Sequence, residues 1–62
     1  MTIGQQIACV RREIRMRKVV YPGLVRRSKM TQGDAIFELV AMEAVLATLL
    51  RIEQSEPLSL LP

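Results

Sequence analysis

Sixty-two residues with a net charge of +3, no histidine, one cysteine and two aromatic side chains (Tyr21 and Phe37) make one small domain, near the lower limit at which a single core holds a chain together. The lone Cys9 excludes an internal disulfide, and the lack of histidine excludes a Cys/His zinc site within one chain. Charge divides the chain: residues 1–30 hold eight Lys/Arg against Glu13 alone, a balance of +7, whereas residues 31–62 hold Arg51 against five carboxylates, a balance of −4. With so little aromatic volume, the core must be built from Leu, Ile, Val, Met and Ala, the filling of helical bundles.

The first helix is expected over about 2–20. It opens at Thr2, with Gln5 in the capping-box position. Ile3, Ile7, Val10 and Ile14 recur at four, three and four residues, a heptad seam whose continuation is Arg17 and then Tyr21. An inward Arg17 needs a carboxylate or a bound anion beside it, and Glu38 or Glu43 is the first candidate. Gly4 weakens the first turn by about 1 kcal/mol relative to Ala. Pro22 is expected to end the helix at or before Tyr21, because the residue before a proline is pushed out of the helical region. A short helical turn at 24–28 then follows, with Leu24, Val25 and Met30 folding back as a lid over one end of a hairpin.

The second helix is expected over about 32–54, with Thr31 as N-cap, Asp34 in its first turn and the Ser-Glu-Pro segment at 55–57 as its stop. From Ala35 to Leu50 only Glu38 and Glu43 are charged, and apolar residues go around most of the helix where a surface helix would show one stripe. Such a helix needs cover on more than one side, so neighbouring copies are expected to supply it. The run at 35–50 is about four residues short of a membrane span and carries two carboxylates, which argues for a buried soluble helix and no membrane partner. Residues 1–54 are therefore read as one all-α helical-hairpin domain that assembles into a homo-oligomeric bundle, and residues 55–62 as a tail whose apolar LSLLP end packs on a neighbour or hangs free. The N-terminus MTIGQQIACV has no basic stretch ahead of an apolar run, so no secretory signal is expected and the compartment is read as cytoplasmic.

Met16, Arg17, Val20, Tyr21, Pro22 and Val25, then Lys29, Met30, Thr31 and Gln32, then Ala35, Glu38, Met42, Glu43 and Ala44 give the chain a pattern that resembles a group of small helical proteins of bacteriophages and prophages. The resemblance covers roughly residues 12–50, with Gly23, Gly33, Ile36 and Phe37 departing from it. It implies a phage or mobile-element origin, hence the host cytoplasm, and a two-helix fold; it carries over no catalytic role.

Catalysis is poorly supplied. Without histidine, a nucleophile and base would have to come from Cys9, Ser, Thr, Tyr21, Lys and the carboxylates, and Cys9 reads as a buried or half-buried filler. Glu38 and Glu43 lie too far around a helix to work as an acid–base pair, and no metal or cofactor is implied. Binding is better supplied. Arg11, Arg15 and Lys18 share one face of the first helix, Arg12 lies beside that row, Arg17 continues the seam, and Arg26, Arg27 and Lys29 form a second cluster past the bend. Arg suits forked contacts with phosphate and can stack on a base or on Tyr21. Three readings stay open: the cations are solvated or paired with Glu of the long helix, they hold an anionic nucleotide or nucleic acid, or they dock an acidic host protein. Within the second, a small phosphorylated ligand needs fewer aromatics than a single-stranded nucleic acid and no recognition helix. A sponge that sequesters a nucleotide signal of host defence is the form expected of a phage protein of this size.

Overall fold

A computed structural model describes the backbone of residues 1–59 and the side chains of residues 1–55. Two helices, α1 (Ile3–Arg26) and α2 (Gln32–Ser59), pack against each other as a hairpin, with no strand among the described residues. Both starts follow from side-chain caps. The Gln5 N–H donates to Thr2 Oγ1 at 3.1 Å while Thr2 N–H donates to Gln5 Oε1 at 2.8 Å, a reciprocal pair that satisfies amides the first turn leaves free. The Asp34 N–H donates to Thr31 Oγ1 at 3.0 Å in the same way.

Both ends differ from the sequence expectation. α1 does not stop at Tyr21 but continues through Pro22 to Arg26, so the short turn expected at 24–28 is the last turn of the same helix. The ring at 22 lies on the exposed side of α1, next to exposed Lys18 and Val19, where water can take up the Lys18 carbonyl that Pro22 cannot serve. α2 likewise passes the expected stop at Gln54 and runs through Pro57 to Ser59. The proline removes one backbone bond, to the Glu53 carbonyl, and its own φ suits a helix. Two residues earlier the Ser55 hydroxyl donates to the Arg51 carbonyl at 2.9 Å, with the Ile52 carbonyl at 3.3 Å, a local back-bond of the kind that bends a helix without ending it. Residues 60–62, and with them the expectation for the LSLLP tail, lie outside the described residues.

The chain reverses at Ser28, whose φ of 57° is left-handed. There the Lys29 N–H donates to the Leu24 carbonyl at 2.9 Å and the Ser28 N–H to the Val25 carbonyl at 3.0 Å, closing the open end of α1 with backbone bonds. Leu24, Val25 and Met30 are half-buried around this bend.

The expected seam of α1 is the packed one. Ile7 and Ile14 are buried, and Ile3, Val10, Arg17 and Tyr21 half-buried. On α2 the facing residues are Ala35, Leu39, Met42, Leu46 and Leu49, again at four, three, four and three. Only Ile7, Ile14 and Ala35 fall in the buried class among the described residues, and no large side chain is fully enclosed. Two helices in contact along one seam cannot surround a core: the radius of gyration is 15.2 Å, against roughly 10–11 Å for a compact domain of this length.

Candidate functional site: an exposed basic face and a groove at the bend

Arg17 sits where the seam puts it and meets the partner expected from α2. Its Nη1 lies 3.5 Å from Glu38 Oε1 and donates to the Tyr21 hydroxyl at 3.1 Å, while Nε lies 3.4 Å from Glu13 Oε1. Glu13, one turn before Arg17 on the same helix, is the partner that sequence reasoning missed; the i, i+4 Glu–Arg spacing was the available signal. Glu43, the other candidate, is exposed and forms no ion pair among the described residues. Burial pulls the guanidinium down, and Tyr21 and Glu13 together push it up by more, so Arg17 is held above its ordinary value and stays charged. Arg17 and the Tyr21 hydroxyl thus belong to a polar cluster between the helices.

The other candidate residues point outward. Arg11, Arg12, Arg15, Lys18, Arg26, Arg27 and Lys29 are all exposed, and none lies within ion-pairing distance of a carboxylate among the described residues. Of the reading in which the cations are solvated or paired with glutamates of the long helix, pairing is realised for Arg17, and the other cations are exposed to solvent. Arg11, Arg15 and Lys18 form one row along α1, and Arg26, Arg27 and Lys29 crowd the reversal. Cys9, expected as a filler, is exposed as well, because its position on α1 lies off the Ile7–Ile14 seam.

One residue of each basic cluster, Lys18 and Arg26, reaches a groove of ≈ 380 Å³ where the end of α1 meets the start of α2. Tyr21, Pro22, Val25, Ile36 and Leu39 give it an apolar lining, with Lys18 and Arg26 also at its wall. Ile36 and Leu39 were not among the candidates: only the juxtaposition of the two helices brings them opposite Tyr21. No group of three or more His, Cys, Asp or Glu side chains suited to a metal occurs among the described residues, and no described helix is long and apolar enough to cross a membrane. No protein-family model, curated protein or solved structure matches the chain.

Proposed function

We propose that this chain acts by non-catalytic binding of a small anionic ligand, as a homo-oligomer. The observation that carries the reading is the set of seven exposed cations on α1 and the bend without a carboxylate partner among the described residues; such a field draws in and holds anions. The groove narrows the class. An apolar floor with Tyr21 and Pro22, next to Lys18 and Arg26, suits a molecule with a flat apolar part and a phosphate, which is the chemistry of a nucleotide. The resemblance to small phage proteins makes a host-defence nucleotide, bound stoichiometrically in the host cytoplasm, the biological form of this proposal.

Mass spectrometry of protein purified under native conditions, with thermal-shift screening of nucleotides, tests it. A retained or stabilising nucleotide at micromolar concentration is expected, and Lys18→Glu or Arg26→Glu should weaken binding about tenfold each, the worth of one lost charge-assisted contact. No stabilising nucleotide would overturn the reading. One observation favours an acidic protein partner instead: Met16 and Val19, 54% and 79% exposed, stand among the cations of α1 and would be desolvated by a macromolecule. Under that reading Arg15→Glu abolishes capture of one stoichiometric partner and nucleotides have no effect.

A further inference from the structure

We infer that the outer face of α2 is a two-fold interface on which a second copy of this chain lies antiparallel. The inference rests on the oligomeric part of the proposal above and names the surface that joins the copies. α2 has a second apolar face besides the seam it turns to α1, made of Phe37, Val40, Ala41, Ala44, Val45 and Thr48, and it holds no charge. Phe37 is 69% exposed and Val40 58%, where a surface helix covered on one side would carry polar residues.

Asp34 stands one turn before Phe37 and Arg51 one turn after Thr48, and neither has an opposite charge within pairing distance among the described residues. These positions are symmetric about a single point between Ala41 and Ala44. Turned end for end on itself, the face matches Ala41 with Ala44, Val40 with Val45, Phe37 with Thr48 and Asp34 with Arg51. The alanines at the centre let two backbones approach, the bulky Phe37 meets a smaller side chain, and each Asp34 meets the other copy's Arg51. A parallel arrangement would set Asp34 beside Asp34 and Arg51 beside Arg51. An isologous two-fold contact needs this self-complementarity. The area fits too: the chain exposes 4851 Å², about 800 Å² more than a compact protein of its mass, and one partner's share of a standard interface is about that size.

Light scattering on a sizing column, with circular dichroism for helicity, tests the assignment. The wild-type chain is expected as a dimer or an even multiple of it. Asp34→Arg and Arg51→Asp, each turning two attractive pairs into two repulsive ones, should each weaken the dimer about tenfold or more. The double variant Asp34→Arg/Arg51→Asp should restore it, which a mere loss of helix stability from a cation at the start of α2 would not do. A monomeric wild-type chain at tens of micromolar, or a double variant no better than either single one, overturns the inference. Nucleotide retention reads the ligand separately: a monomer that still binds nucleotide loses this interface and the oligomeric part of the proposal but keeps the ligand, an oligomer whose double variant is not restored loses only this interface, and a dimer that binds none loses only the ligand.

Discussion

At the scale of single residues, Arg17 and Ser28 decide more than their neighbours. Arg17 holds a charge among half-buried apolar side chains because Glu13, Glu38 and Tyr21 surround its guanidinium. A group whose folded pKa is raised contributes stability that is fully present below its unfolded value and is lost only above it, so this contribution is constant through the neutral range. Ser28 adopts a left-handed φ of 57° that costs an L-residue roughly 1–2 kcal/mol. Ser28→Gly should therefore raise stability by about 1 kcal/mol with the reversal unchanged, read as a higher denaturation midpoint at constant m-value. That Arg17 points inward and needs a carboxylate was legible from the seam, because heptad spacing fixes which side chain faces the partner helix, but the choice of Glu38 over Glu43 was not. The strain at Ser28 was not, since nothing in Arg-Arg-Ser-Lys announces a left-handed residue where glycine is the usual choice.

At the scale of elements, the two helix starts could be read from sequence and the two ends could not. A cap is a bond between residues three apart, and Thr2 with Gln5 and Thr31 with Asp34 carry it locally. A proline imposes a penalty and not a prohibition, and whether the penalty is accepted depends on what the rest of the helix gains. Carrying α1 past Pro22 keeps Leu24 and Val25 half-buried at the bend and lets α1 lie along more of α2. Pro22→Ala should consequently stabilise the hairpin by about 2 kcal/mol, the restored backbone bond less the freedom the unfolded chain regains; thermal unfolding checks it, and a fall in midpoint would mean that the ring itself is needed. The groove was likewise hidden from sequence. Lys18 was legible as part of a helix-face row and Arg26 as part of a cluster expected past the bend, but Ile36 and Leu39 join Tyr21 only through the packing of α2 on α1.

At the scale of the molecule, the hairpin has a small buried core and an uncovered apolar side. Ile7, Ile14 and Ala35 form the buried set among the described residues, which leaves an isolated hairpin marginal. Linkage then makes stability depend on concentration: if copies cover α2, the thermal midpoint rises as the protein is concentrated. Leu46→Asp, which puts an unpaired charge on the seam facing α1, should remove the cooperative transition at every concentration tested. A wild-type midpoint unchanged over a hundredfold dilution range would place the stability within one chain.

The hairpin also sets the direction of its electrical asymmetry. Its helices run in opposite senses, so their macrodipoles largely cancel along the rod. What remains is the contrast between a basic α1 and bend and a net acidic second half of the chain, which makes the flank of α1 and the bend end the positive side of the hairpin. An anionic body drifting toward this protein therefore exerts a torque that turns the flank of α1 and the bend toward it before contact, whereas a cationic one meets the α2 side.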